Sequence, residues 1–301
     1  MTNTTTPINQ LHSPLFDKHQ ITVLMKRDDL NHPQIQGNKW HKLKLNLQQA
    51  QQQNRDTLIT FGGAYSNHIA ATAYAAKQYG FKSIAYIRGA ELAGLPHRWS
   101  KTLITAAENG MQLRFLTREA YRDKTSEAFI KMVQAEFPNA YLLPEGGSNE
   151  LAVNGFASLM ADIEQQQPNW THLYSAVGTG GTLAGLIKHA AYKENRTIQG
   201  IAVLKQADYL LPHINQWISN NQIDLQVEWQ LLLDYHGGGY GKLSAELKQL
   251  KKDFEAQFNI PLDPVYTVKM VAAFYQELKL GHINAGATVI LLHTGGLQGN
   301  G

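Results

Sequence analysis

An α/β fold in two lobes, each a mostly parallel sheet flanked by helices, is what this chain predicts, and three observations predict it. Short apolar, β-branched runs alternate with helical patterns, as they do when helices layer onto parallel strands. The 301 residues reach the size, about 250–300 residues, at which one hydrophobic core stops growing and a chain divides. Two polar or glycine-rich segments, Gln51–Asp56 and Leu143–Ser148, are placed as an outward and a return crossing between lobes. A smaller lobe at 51–147 is therefore expected as an insertion in a larger one formed by 1–50 and 148–301.

Taken in order, the first pattern is helical, Lys39–Gln53, followed by a strand at Leu58–Phe61 and an alanine-rich helix at Asn67–Gly80. A strand at Ser83–Ile87, a helix at Pro96–Asn109, a strand at Leu113–Leu116, a helix at Ser126–Phe137 and a strand at Ala140–Leu142 complete the smaller lobe. The return carries a long helix at Asn149–Gln167, a strand at His172–Val177, a helix at Thr182–Glu194 and a strand at Ile198–Val203. Helices at Ala207–Asn220, Lys242–Asn259 and Pro264–Lys279 and a last strand at Thr288–His293 follow. Junctions carry Gly, Asn or Pro, as turn chemistry requires. The glutamines at 48–53 read as the solvated end of a helix, and no repeat of fixed period is present.

Composition removes several functions. With 43% hydrophobic and 17% charged residues and a net charge of +3, the chain reads as an ordinary soluble globular protein. Its lysines are scattered, so it lacks the basic stripe that nucleic acid or a membrane surface would need. It has no cysteine, which excludes disulfides, thiolate metal sites and a cysteine nucleophile. The first ten residues have neither a basic n-region nor an apolar h-region, and no run approaches the ~18 apolar residues of a spanning helix. A cytoplasmic location is expected. The twelve histidines do not fall at metal-ligand spacings, and no metal is expected. Ser66 lacks the Gly-x-Ser-x-Gly elbow of a hydrolase.

Four short motifs carry chemistry. In Gly37-Asn38-Lys39-Trp40-His41-Lys42-Leu43, Asn38 is the expected N-cap, and helical spacing puts Lys39 and Lys42 on one face. Two ammonium groups beside the positive end of a helix repel it, an arrangement easier to understand where an anion or an imine is held. A pair of solvated lysines is the plainer alternative. In Gly62-Gly63-Ala64-Tyr65-Ser66-Asn67-His68, two glycines permit close backbone approach, and free N–H groups at the helix start suit a carboxylate. Ser66, Asn67 and His68 are the expected substrate contacts, against the alternative of an ordinary capped turn.

Gly178-Thr179-Gly180-Gly181-Thr182 joins a strand to a helix and reads as a phosphate cradle of backbone N–H groups and threonine hydroxyls. It lacks the Lys-Ser/Thr ending of a P-loop, and Leu183 stands where a dinucleotide fingerprint needs its third glycine. In Asp263-Pro264-Val265-Tyr266-Thr267, an aromatic face can stack on a pyridine ring and a hydroxyl can reach its nitrogen. Tyr240, inside Gly237–Gly241, is a second tyrosine usable as a proton donor or substrate clamp, and Thr294 offers a hydroxyl at the end of the last strand. A lysine, a polar turn, a phosphate cradle and a stacking tyrosine are together the parts that hold and use pyridoxal phosphate.

These motifs, in this order across nearly the whole chain, resemble the fold type II pyridoxal-phosphate enzymes of the tryptophan synthase β kind. The likeness is closest to the 1-aminocyclopropane-1-carboxylate deaminase and D-cysteine desulfhydrase family. The resemblance implies Lys39 as the Schiff-base lysine and Asn67 as partner of the ring oxygen. It implies Lys42 and Gly178–Thr182 at the phosphate, Tyr266 stacked on the ring, Thr267 and Thr294 at the cofactor, and Ser66 and Tyr240 near the substrate. It also implies a homodimer. In the deaminases a glutamate follows the stacking tyrosine and a leucine sits in the His-x-Gly-Gly segment; here Thr267 and Thr294 occupy those places, as in the desulfhydrases. The chain departs from the family at His41, where arginine is usual, and at Val268, where glycine is.

A small amino acid is thus the expected substrate, with D-cysteine β-elimination to pyruvate, sulfide and ammonia ahead of deamination of 1-aminocyclopropane-1-carboxylate. Another amino-acid deaminase or a racemase of the same fold remains an alternative. A nucleotide-binding oxidoreductase using the 178–182 loop, and a non-catalytic binder of the same fold, are the readings from other classes.

Overall fold

A computed structural model describes residues 5–219 and 227–297. Its strands form two sheets. The larger contains β1 (Ile8–Leu11), β2 (Thr22–Lys26), β7 (His172–Val177), β8 (Thr197–Ala202), β9 (Glu228–Leu232) and β10 (Thr288–Leu292). The smaller contains β3 (Thr57–Gly63), β4 (Lys82–Arg88), β5 (Gln112–Leu116) and β6 (Ala140–Leu142). Strand order is β1-β2-β10-β7-β8-β9 in the first and β5-β4-β3-β6 in the second. All pairings are parallel except β1 with β2, where Ile8 faces Lys26. Helices cover the sheets, which makes this an α/β fold of parallel layers. Apolar side chains fill both faces of the larger sheet, one cluster around Phe274 and Met25, the other around Phe156 and Trp170.

Each strand expected from sequence is present and lies within two residues of its expected bounds. β1, β2 and β9 were not anticipated. β1 reads Ile-Asn-Gln-Leu and β9 Glu-Trp-Gln-Leu-Leu, polar enough to pass as loop, and both are edge strands. β2 ends in Lys26, whose ammonium is fully buried on Asp162 Oδ2 at 2.6 Å and the Thr6 carbonyl at 2.6 Å.

Four expected helices differ. The Pro96–Asn109 pattern is a 3₁₀ turn, Pro96–Arg98, then a helix Lys101–Glu108 begun by Ser100, whose Oγ accepts from Leu103 N at 3.2 Å. Asn149–Gln167 is divided into Glu150–Asn154 and Ala157–Gln166 at Gly155. A Cβ on Gly155 would lie 2.0 Å from the His41 carbonyl oxygen, so only glycine lets this segment cross helix Asn38–Gln52. The helix expected over Thr182–Glu194 ends at His189. That expected over Ala207–Asn220 is a 3₁₀ turn, Ala207–Tyr209, followed by Leu210–Ser219; Asn220 and the first four residues lie outside the described residues. Among the described residues no helix is long and apolar enough to cross a membrane, and no group of three His, Asp or Glu side chains could hold a metal ion.

Candidate active site

The carboxyl ends of β3 and β7 face a shared cavity of about 220 Å³, where an α/β sheet presents its loops to ligands. Lys39 enters it from the first turn of helix Asn38–Gln52. The helix begins differently from the sequence expectation. Gly37, not Asn38, is the N-cap, with φ +61° and ψ −136°. A Cβ there would sit 2.1 Å from the Thr294 carbonyl oxygen. Asn31 fastens this turn, accepting from Gly37 N at 2.9 Å and donating to Gly37 O at 2.9 Å. Asn38 is freed for the site: its Nδ2 donates to Thr182 Oγ1 at 2.9 Å, and its Oδ1 accepts from Lys39 Nζ at 2.8 Å.

Lys39 Nζ stands 6.0 Å from the centre of the Tyr266 ring. Burial pulls its ammonium down to about 8, against the opposing pull of the Asp263 carboxylate. An amine so placed is partly neutral near physiological pH, the state that can attack an aldehyde or take a proton. Lys42, one turn on, donates to Ser148 Oγ at 2.8 Å, Gly146 O at 3.1 Å and Thr179 Oγ1 at 3.3 Å. Its pKa is drawn well below the usual lysine value by burial and by the charge of Lys39. Two lysines, Lys42 buried and Lys39 half-buried, share one cavity with a glycine cradle, and an anion between them would relieve both.

That cradle follows β7. Gly180 has φ +81° and caps helix Gly181–His189, leaving its first N–H groups open. Thr179 Oγ1 lies 2.6 Å from Ser148 Oγ. Gly178, Thr179, Gly180 and Thr182 line the cavity; Gly181 does not, because it packs on Ser148, which a Cβ there would meet at 2.6 Å. A Cβ on Gly178 would fall 3.2 Å from the Tyr266 ring, so cradle and stacking face adjoin.

On the opposite wall, Ser66 caps helix Asn67–Tyr79 through its backbone only, and its hydroxyl makes no capping bond. Ser66 and Asn67 line the cavity, and Asn67 Nδ2 would be 2.8 Å from a Cβ on Gly296. His68 also lines it but is 1% exposed, with Nε2 2.8 Å from Thr60 Oγ1. Burial first, then Lys39 and Lys42, push its pKa well below the ordinary value, so it is a neutral ring and brings no charge to a carboxylate.

Tyr266 Oη donates to Tyr240 Oη at 3.3 Å, with the two rings edge-on at 6.1 Å. Burial and the neighbouring Tyr240 raise the Tyr266 phenol well above its usual pKa. Thr294 lines the cavity and Thr267 does not. The Thr267 hydroxyl accepts from Asp263 N at 2.6 Å and donates to Asp263 O at 3.2 Å, closing the first turn of helix Thr267–Lys279. Asp263 Oδ1 takes the N–H groups of Val265 (3.2 Å), Tyr266 (2.5 Å) and Thr267 (3.3 Å). Burial nonetheless raises its pKa to about 6. Ser148, Gly146, Glu145 and Arg88 also line or brace the cavity and were not singled out from sequence. The first three fall in a segment read only as a lobe crossing; Arg88 is the last residue of β4 and carried no motif.

A half-buried lysine with a lowered pKa, a glycine cradle beside a second lysine, and a tyrosine face between them define a pyridoxal-phosphate-dependent enzyme. The donor set fits that cofactor: cation and N–H groups for a phosphate, an aromatic face for a ring, an amine for an aldehyde. The chain belongs to the pyridoxal-phosphate dependent enzyme family, whose model matches residues 1–295. It is 30% identical, over 98% of its length and 94% of the relative's, to a Thermotoga maritima protein named "Putative 1-aminocyclopropane-1-carboxylate deaminase". It is 28% identical, over 98% of its length and 77% of the relative's, to an Arabidopsis thaliana protein. That protein is named "Bifunctional D-cysteine desulfhydrase/1-aminocyclopropane-1-carboxylate deaminase, mitochondrial". A solved structure described as an "ACC deaminase homologue" superposes with a TM-score of 0.84 at 28% identity, covering 98% of this chain and 90% of that one.

Proposed function

We propose that this enzyme catalyses β-elimination on a small amino acid, with D-cysteine as substrate and pyruvate, hydrogen sulfide and ammonia as products. The observation that carries the reading is a threonine, Thr267, directly after Tyr266, with a second, Thr294, in the cavity wall. Thr267 follows the stacking tyrosine and its side chain is spent on the helix start, while Thr294 is among the residues that line the cavity. A carboxylate at that point would hold a pyridine nitrogen protonated and deepen the electron sink, which opening a cyclopropane ring should require. A hydroxyl leaves a shallower sink, sufficient when a thiolate departs from the β-carbon.

Pyridoxal phosphate, when bound, supplies the sink for the electrons of the α-carbon. The chain's residues do the rest. Lys42 with Gly178, Thr179, Gly180 and Thr182 would hold the phosphate, Tyr266 would back the ring, Asn67 would serve its oxygen and Thr294 its nitrogen. The substrate carboxylate docks on Ser66 and the open N–H groups that follow it. Lys39 is the base for the α-proton, suited by its position and by a pKa near 8. Tyr240, held by Tyr266, stands as proton donor or clamp at the β-substituent. One water is consumed as the amino group leaves, so D-cysteine and water become pyruvate, ammonia and hydrogen sulfide.

The names of the relatives favour a second reading, deamination of 1-aminocyclopropane-1-carboxylate to 2-oxobutanoate and ammonia. A single experiment separates the two. Purified holoenzyme is given each substrate in turn, its visible absorption followed, and sulfide, pyruvate and 2-oxobutanoate assayed. Sulfide and pyruvate from D-cysteine, without 2-oxobutanoate from the cyclopropane, are expected. The reverse pattern replaces the first reading with the second. A homodimer in the cytoplasm belongs to the same proposal.

A further inference from the structure

Lys269 is a buried cation that the chemistry above leaves unused. It lies three residues after Tyr266, in the first turn of helix Thr267–Lys279, and is 0% exposed. Among the described residues its Nζ reaches backbone carbonyls only, Gly239 O at 2.7 Å and, more loosely, Val203 O at 3.4 Å. Removing an ammonium from water for two neutral acceptors is unfavourable. Burial accordingly pulls its pKa down to about 8, with Asp263 opposing from further off. If the position served packing alone, a methionine would fill it at lower cost.

The ammonium holds the backbone of the loop Gly237-Gly238-Gly239-Tyr240-Gly241. Its glycines have φ of +57°, +91°, +113° and +68°. Such a run loses more conformational freedom on ordering than any other sequence and has few side chains to fix it. Local bonds shape the turn: Gly239 N donates to His236 O at 3.1 Å, and Lys242 N to Gly239 O at 3.1 Å. Lys269 ties the same carbonyl to a different part of the fold. The next residue is Tyr240, whose hydroxyl accepts from Tyr266. One helix start thus grips the loop twice, Tyr266 through the Tyr240 hydroxyl and Lys269 through the preceding carbonyl. Lys269 itself does not line the cavity.

We propose that Lys269 is a positioning residue that fixes Gly239 and so presents the Tyr240 hydroxyl to the substrate. The inference rests on the β-elimination reading for the role of Tyr240, though not for the hold on the loop. The test is a double-mutant cycle of Lys269→Met and Tyr240→Phe on pyridoxal-phosphate-loaded protein, with hydrogen exchange measured across residues 237–242. Lys269→Met should lower kcat by about 100-fold, the loss typical of a group displaced by about 1 Å. The cofactor absorption band should be unchanged and loop exchange faster. In the Tyr240→Phe background the same substitution should cost less than about twofold more. Lys269→Gln, which keeps a donor, should recover part of the loss, and it stands in for the methionine variant if that does not fold. Losses that multiply, or loop exchange equal to wild type, overturn the proposal. If the wild-type protein does not turn over D-cysteine, the functional reading has failed, and loop exchange alone still decides whether Lys269 holds Gly239.

Discussion

Replacing Gly37 with alanine should disable catalysis by moving Lys39 without touching it. Gly37 occupies φ +61° and ψ −136°, outside the left-handed helical region, a conformation that costs an L-residue about 1–3 kcal/mol. Its Cβ would also lie 2.1 Å from the Thr294 carbonyl oxygen and 2.6 Å from Gly295 N. Both neighbours are backbone, in the segment that lines the cavity, so neither can rotate aside, and such overpacking costs about 1–3 kcal/mol. The total, about 2–6 kcal/mol, is a large share of the ~5–15 kcal/mol that holds a typical domain, but it should leave folded protein to assay. The Asn31 bonds to Gly37 N and O transmit the shift to the helix start, and Lys39 is two residues on. A displacement of about 1 Å should reduce kcat by roughly 100-fold. Gly80→Ala is the control: φ is +77° but no atom lies within 4 Å, so it should cost about 1 kcal/mol in stability and nothing in turnover. Urea midpoints and steady-state kinetics on both variants measure the two effects. Gly37→Ala protein with stability within about 0.5 kcal/mol of wild type and with undiminished turnover would refute the reasoning.

Three further outcomes follow from the same geometry. Lys42→Met should weaken pyridoxal-phosphate binding by about 2 kcal/mol, roughly thirtyfold, while leaving the cofactor-free protein at least as stable, because an ammonium with a strongly lowered pKa leaves the interior; spectroscopic titration and a thermal melt read both. Gly155→Ala should cost about 1–3 kcal/mol through crowding alone, since Gly155 has ordinary helical φ and ψ and its Cβ would meet the His41 carbonyl at 2.0 Å; urea unfolding checks it. Lys269 has a folded pKa near 8 against 10.5 unfolded, so its proton is held by both states below pH 8 and by the unfolded chain alone between about 8 and 10.5. Across that window wild type should gain stability relative to Lys269→Met, by at most about 3 kcal/mol, and a flat difference would contradict the assignment of a charged, buried Lys269.

The legible parts of the chain were those whose signal is local. β3, β4 and β7 are continuous apolar runs because helices cover both their faces, and a run of that kind needs no partner to be recognised. Lys39 and Lys42 stood out because helical spacing and a preceding glycine are written within seven residues. What sequence hid depends on distant partners. Lys26 marks the end of a buried strand only because Asp162 and the Thr6 carbonyl receive it, and nothing near residue 26 announces either. Ser148 joins the glycine turn after β7 because its segment folds against Lys42 and Thr179, a contact more than 100 residues from Lys42. Asn38 has the composition of an N-cap, yet the Thr294 carbonyl next to Gly37 takes the turn and sends the asparagine side chain to Thr182. Thr267 could have faced a ligand or its own helix start, and a main-chain partner four residues back decides for the helix.

The central claim is that Lys39 is the residue that binds the cofactor and moves the substrate's α-proton. It is tested most directly by reducing the pyridoxal-phosphate-loaded protein with borohydride, digesting it and locating the modified lysine by mass spectrometry, with Lys39→Ala assayed in parallel. Modification confined to the peptide bearing Lys39, together with loss of turnover in Lys39→Ala, is the expected result. Modification at Lys42 or Lys269, or full turnover by Lys39→Ala, would contradict it.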